Sequence, residues 1–398
     1  MIWKAKEGKI SWLPGLTPRD LPHPLPQGIT VHIRGDELGI EIQGLAGAIP
    51  LLNGDTLHIV PKIGQVNFLR LLFKAEGLQR DLKTEFERFV EYSVDDAPSI
   101  DSVVARHLVV SAATILARGP KRIRVQRRRQ GAFASGQLDS LATALSTACH
   151  KREPVAYLAS ERTTDVPENR LITEGLLRAW PMLDGPRRAE FRPIYETWMR
   201  RYRRSVALQS DLEAVENGFA AGSYGGPRDY YRRALMLALI VLGNGGIGFG
   251  INSVVLGDAV LLNTADIFEK YIRNVITEAH SGAGYVVTKG GTSIKSLYAD
   301  GSFELKPDIV LSRRGQTLLI VDAKYKQPTV ADHYQMLAYL AANEVKRGLL
   351  LAPQFQGDTV SLKEYATASR TVICEAYLPM SKLDITEAFL ARVIERFA

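Results

Sequence analysis

Three charged residues in the last quarter of the chain have the types and spacing for phosphodiester chemistry. Asp308 follows a proline in Lys306-Pro307-Asp308-Ile309-Val310-Leu311. Asp322 and Lys324 stand in Ile320-Val321-Asp322-Ala323-Lys324-Tyr325-Lys326. Alternate side chains of a strand share a face, so Asp322 and Lys324 point one way and Ala323 the other. Asp308 opens the neighbouring strand. Two carboxylates with positions left for water suit Mg²⁺, which polarises a phosphoryl oxygen and generates hydroxide from bound water. An ammonium beside them can orient that water and stabilise the charge that builds on phosphorus. The competing reading is a polar strand rim, but charges interrupting an apolar strand pair are costly to bury without a function.

The elements that must position these residues are legible in outline. The pattern predicts a helix over Thr264–His280 and a strand over Tyr285–Thr288. Strands over 309–311 and 318–324 are joined by the turn Arg313-Arg314-Gly315. A helix over 330–346, strands over 348–352 and 371–376 and a closing helix over 385–397 follow. That order gives an α/β core, a mixed sheet flanked by helices. Upstream, alternation over 29–33 and 38–42, a strand over 57–60 and the tight-turn signal Asn53-Gly54-Asp55 predict a small β-rich module, with a helix over 67–75. Residues 100–204 read as helical and basic. The glycine-rich stretch 217–227 reads as a boundary, giving domains at 1–100, 101–225 and 226–398.

The chain has 398 residues and a formal net charge of +7. Residues 101–204 hold 20 Lys and Arg against 10 Asp and Glu, and such a block attracts phosphate backbones. Lys121, Arg122, Arg124, Arg127, Arg128, Arg129, Arg200, Arg201, Arg203 and Arg204 are its candidate contacts to DNA or to a protein partner. A solvated helix face is the plainer alternative. Two cysteines exclude a disulfide framework or a four-cysteine zinc site. The seven histidines lack metal-ligand spacing, and His333 reads as solvent-exposed, with a supporting place beside the site as the alternative. No apolar run reaches membrane-spanning length and the N-terminus has no apolar signal core, so a cytoplasmic protein is expected. Gly243-Asn-Gly245-Gly-Ile-Gly248 matches a dinucleotide fingerprint in form only, because a helical run precedes it.

Pro307-Asp308 followed by Asp322-Ala323-Lys324 resembles the motif of the PD-(D/E)xK nuclease superfamily. More narrowly, the chain is similar to the McrC family, nuclease subunits of McrBC modification-dependent restriction systems. The segments that carry the likeness are Phe268-Glu269-Lys270-Tyr271, 321–326, Tyr334-Gln335-Met336-Leu337-Ala338-Tyr339, 57–64 and Pro167-Glu168-Asn169-Arg170-Leu171. The likeness spans most of the chain and is weakest before Pro50. It implies that Asp308 and Asp322 hold Mg²⁺, for which Mn²⁺ can substitute, and that Lys324 is catalytic. It implies an extra acidic metal ligand at Glu269. Gln335 and Tyr339 match a Gln-x-x-x-Tyr pattern near some nuclease sites, and Lys326 is a candidate phosphate contact on the Asp322 face.

A phosphate-cradling Gly-x-x-x-x-Gly-Lys-Ser/Thr loop is absent from the sequence, so no nucleotide is expected on this chain. The family likeness implies a GTP-hydrolysing AAA+ ring of McrB type as partner, docked and stimulated by the N-terminal module. It further implies two copies meeting for double-strand cleavage. Two other readings fit the same residues: a stand-alone repair or structure-specific nuclease, and a non-catalytic activator of an AAA+ partner.

Overall fold

The chain opens with β1 (Ile2–Lys6) and β2 (Ile10–Leu13). Two hairpins follow, β3 (Ile29–Arg34) with β4 (Glu37–Ile42), and β5 (Leu45–Pro50) with β6 (Thr56–Val60), and then α1 (Gln65–Ala75). The second hairpin turns at Gly54, whose φ of 85° suits glycine; there the Asp55 N–H donates to Asn53 Oδ1 at 2.9 Å. Alternation puts Leu38, Ile40, Ile42, Leu57 and Ile59 into one buried cluster. The computed structural model describes residues 2–75, 100–153, 155–202, 209–242, 260–290, 295–298 and 300–397. It divides into one unit of Met1–Val103 with Gly243–Ala398 and a second of Val104–Leu242.

The second unit corrects the expected helical reading of the basic middle region at its arginine run. Helix α2 (Ile100–Arg118) leads into it and ends before Gly119 (φ 98°) and Pro120. The arginine run then forms a strand, β7 (Ile123–Gly131), paired antiparallel residue by residue with β9 (Val155–Thr163). The short β8 (Gln137–Leu138) adds to β9, and α3 (Ser140–Ala148) lies between β8 and β9 in sequence. Arginine's helix preference yields here to cross-strand pairing. Helices α4 (Pro167–Ala179), α5 (Gly185–Tyr202), α6 (Gln209–Ala220) and α7 (Asp229–Val241) complete the unit.

The 167–171 segment is the polar centre of that unit. Asn169 Nδ2 donates to the carbonyls of Lys121 and Thr164, and its Oδ1 accepts from Tyr231 OH. Arg170 bonds Asp165 and Asp211. The boundary expected at 225 therefore moves, because α7 carries Tyr231 onto α4 within this unit.

Returning to the first unit, β10 (Val260–Asn263) pairs antiparallel with β5. It completes a four-stranded sheet in the order β1-β6-β5-β10. The N-terminal module and the C-terminal region thus share one unit, a division the sequence patterns did not show. Helix α8 (Thr264–His280) starts at once and packs on α1, where Asn274 Nδ2 donates to the last carbonyls of α1.

The strands of the candidate site follow: β11 (Tyr285–Thr288), the short pair β12 (Lys295–Ser296) and β13 (Glu304–Leu305), β14 (Ile309–Arg313) and β15 (Gln316–Ala323). Helix α9 (Val330–Ala342) crosses to β16 (Arg347–Gln354), and β17 (Ser361–Ala366) and β18 (Val372–Pro379) follow. Helices α10 (Leu383–Leu390) and α11 (Val393–Phe397) end the described chain, two helices where one was expected. The sheet runs β11-β14-β15-β16-β18-β17, with β15, β16 and β18 parallel and the other pairs antiparallel. Central β16 is buried from Gly348 to Pro353, as a strand covered on both faces must be. A Cβ on Gly348 would sit 2.6 Å from Met336 Sδ, so glycine there lets α9 rest on the strand. Among the described residues no helix is long and apolar enough to cross a membrane.

Candidate active site

The β14–β15 hairpin brings the two aspartates together. Its turn places Arg314 and Gly315 at φ 51° and 82°, the double left-handed geometry of a tight primed turn. Pairing then runs to Ile309 opposite Val321, so Asp308 and Asp322 flank the last rung. The Ala323 N–H donates to Asp308 Oδ2 at 2.9 Å. Burial, then the charge of Asp322, then that of Glu269 push the Asp308 carboxyl up to about 7. Asp322 is 2% exposed.

Lys324 reaches the same face as Asp322. Its Nζ lies 2.8 Å from Asp322 Oδ2, an ion pair with a nearly fully buried carboxylate. It donates to Gln335 Oε1 at 3.0 Å and lies 3.7 Å from Asp332 Oδ1. Burial acts to lower the Lys324 ammonium's pKa, but Asp322, Asp308 and Asp332 together hold it above its ordinary value. Gln335 Nε2 donates to Tyr339 OH at 2.8 Å, and that hydroxyl donates to the Lys306 carbonyl at 3.2 Å. The Gln335–Tyr339 spacing of four residues on α9 thus ties Lys324 to the strand entry beside Pro307. Burial, together with the nearby aspartate charges, drives the Tyr339 hydroxyl far above its usual value, so it stays a donor.

Other sequence candidates sit differently. Glu269 on α8 is held by Arg273 at 2.6 Å and Lys289 at 2.9 Å. Lys326 lies past the end of β15, is 61% exposed and faces Asp332 Oδ2 at 3.6 Å rather than Asp322. Its expected place on the Asp322 face is lost because the chain leaves extended pairing after Lys324. His333 is not solvent-exposed as expected: its Nε2 lies 2.8 Å from Glu375 Oε1. Asp332, Arg273, Lys289 and Glu375 were missed. The Thr329–Asp332 capping box was a readable signal for the first. A glutamate inside the apolar strand 372–379 was one for the last.

Among the described residues no group of three or more His, Cys, Asp or Glu is arranged to hold a metal. The two aspartates fit a hard divalent cation that keeps most of its waters. Asp308, its carboxyl pushed up by burial and by the charge of Asp322, and the buried Asp322 stand as two crowded carboxylates, a crowding that such an ion would relieve.

The basic residues of the second unit divide by surroundings. Lys121 pairs with buried Glu168 at 2.5 Å and belongs to the unit's interior network. Arg127 and Arg129 share Glu161, at 4.0 and 2.8 Å. Arg128 is 82% exposed with Asp139 at 3.8 Å. Arg122, Arg124, Arg200 and Arg201 are exposed, while Arg203 and Arg204 lie outside the described residues. So does the glycine-rich 243–248 stretch.

No curated protein matches the chain. One solved structure has a TM-score of 0.63 at 14% identity and covers 99% of both chains. It is a refined half-complex from the tetradecameric assembly of Thermococcus gammatolerans McrB AAA+ hexamers with bound McrC. A second, the Thermococcus gammatolerans McrBC complex, aligns with 70% of this chain and 88% of that one at 14% identity and a TM-score of 0.47. At such identity the first likeness concerns the fold alone. The model of the McrBC 5-methylcytosine restriction system component matches residues 40–353, well over half of the sequence, and the chain belongs to that family.

Proposed function

We propose that the chain is the McrC-type nuclease subunit of a McrBC-like restriction system, a Mg²⁺-dependent DNA endonuclease with a PD-(D/E)xK core. It works with a GTP-hydrolysing AAA+ ring of McrB type, whose hydrolysis it stimulates. One observation carries the reading: Asp308 and Asp322 flank one rung of the β14–β15 hairpin, with the Lys324 ammonium 2.8 Å from Asp322 on the same face. A cation held by the two carboxylates supplies Lewis acidity toward the phosphate and a more acidic water. The Ala323 N–H fixes one oxygen of the Asp308 carboxylate and leaves the other for that cation. Gln335 and Asp332 hold the Lys324 ammonium, leaving its remaining donor capacity for a phosphate oxygen or the attacking water. Glu269, ion-paired with Arg273 and Lys289, still raises the Asp308 carboxyl through its charge.

The family and the full-length likeness to a chain of the McrB–McrC assembly support the partner. The β-rich N-terminal module is the proposed docking element. The exposed arginines of β7 and α5 serve DNA or partner contacts, and two copies meet for double-strand cleavage. The test is cleavage of a plasmid carrying 5-methylcytosine, with Mg²⁺, with and without the AAA+ partner and GTP. Wild type and Asp322→Ala are compared. Cutting that needs partner and GTP and is lost in the variant is the expected result. Cutting by the chain alone would move the assignment to a stand-alone nuclease, and equal cutting by the variant would remove the site.

A further inference from the structure

Glu375 is a buried carboxylate that the proposed chemistry does not use. It is 4% exposed and lies on β18. Parallel register sets Asp322 beside Leu350 and Leu350 beside Glu375, so Glu375 stands on the Asp322 face, two strands away. Three groups converge on it. His333 Nε2 lies 2.8 Å from Oε1, Tyr377 OH donates to Oε2 at 2.7 Å, and Tyr365 OH reaches Oε2 at 3.4 Å. The Tyr365 ring also meets the His333 ring edge-on, with centroids 5.0 Å apart. So many partners for one carboxylate lock the imidazole in place.

His333 belongs to the first turn of α9. Asp332 and Met336 of that helix are buried against the sheet. His333 and Gln335 are two residues apart, about 200° around the helix, and so leave it on opposite sides. His333 reaches toward β18, and Gln335 reaches toward Lys324 on the β15 side. Any roll of α9 about its axis that moves Gln335 must therefore break or strain the His333–Glu375 contact.

We propose that His333 and Glu375 are positioning residues: together they set the roll of α9, so that Gln335 and Asp332 hold the Lys324 ammonium beside Asp322. This rests on the nuclease reading above. The two touch neither the aspartates nor Lys324; they act through the helix.

The experiment measures single-turnover cleavage of the 5-methylcytosine plasmid by the full chain with its AAA+ partner, GTP and Mg²⁺. His333→Ala should slow the rate about tenfold to hundredfold, as a misplacement near 1 Å does, with DNA affinity unchanged. His333→Gln, whose amide nitrogen can stand where Nε2 does, should restore most of the rate. The double variant His333→Ala with Gln335→Ala should lose less than the product of the two single losses, because both loosen the same hold on Lys324. A wild-type rate in His333→Ala, no rescue by glutamine, or fully multiplied losses would each overturn the proposal. Lys324→Ala runs alongside. If that variant cuts normally, the nuclease-site reading itself fails; if it is dead while His333→Ala is normal, only the positioning role fails.

Discussion

Replacing Asp308 with asparagine should make the metal-free protein more stable, and increasingly so as pH rises. The folded carboxyl titrates near 7, against 3.8 for the ordinary group, because it is buried beside Asp322 and within the field of Glu269. A carboxyl raised on folding contributes most below its unfolded value. Stability is then lost as pH climbs from about 4 to about 7 and stays lost above that. The full shift corresponds to about 4 kcal/mol. Water entering this partly exposed strand end reduces it to about 2 kcal/mol. The asparagine side chain has no such titration, and its carbonyl oxygen can still accept the Ala323 N–H. In a unit of this size the gain should be roughly 4–8 °C in Tm at pH 8 with chelator, and less than half of that at pH 5. Added Mg²⁺ should then raise the Tm of the wild type and leave the variant unmoved. A variant less stable than wild type at pH 8, or a gain equal at both pH values, would refute the crowded-carboxylate argument.

Lys324→Ala should lower the cleavage rate at least about a hundredfold while DNA affinity holds, and should lower the metal-free Tm because buried Asp322 loses its counter-charge, checked by single-turnover kinetics and thermal melts. Arg128→Gln should weaken DNA or partner binding at low salt more than Arg127→Gln or Arg129→Gln, because those two already share Glu161; titrations across ionic strength decide it. Trp198 is fully buried and its indole donates to Thr173 Oγ1 at 2.9 Å, so Trp198→Ala should destabilise the second unit by about 3–5 kcal/mol in denaturant melts.

The closeness of the candidate residues was readable because period-two alternation decides which side chains share a face, as with Asp322 and Lys324. The hairpin turn at Arg314-Gly315 then fixes which residue meets which. What was hidden depends on register between distant segments. Glu375 joins the Asp322 face only through two parallel pairings across β16, and no local pattern encodes them. The same holds for β10 against β5, some 210 residues apart. The Arg127–Arg129 strand was missed for a different reason: arginine favours helix slightly, and only the partner strand 155–163 overrules it.

The pairing of β10 with β5 also orders events during synthesis. The sheet begun by residues 2–60 lacks its fourth strand until residues 260–263 leave the ribosome. At translation speeds of about 5–20 residues per second, that wait lasts roughly 10–40 s. Throughout it the backbone of Leu45–Pro50 offers an open edge, the kind of surface on which nascent chains go astray. The unit inserted meanwhile, Val104–Leu242, emerges whole and can fold on its own schedule. An early stop after Leu242 and before Val260 would leave a whole insert attached to an unfinished sheet.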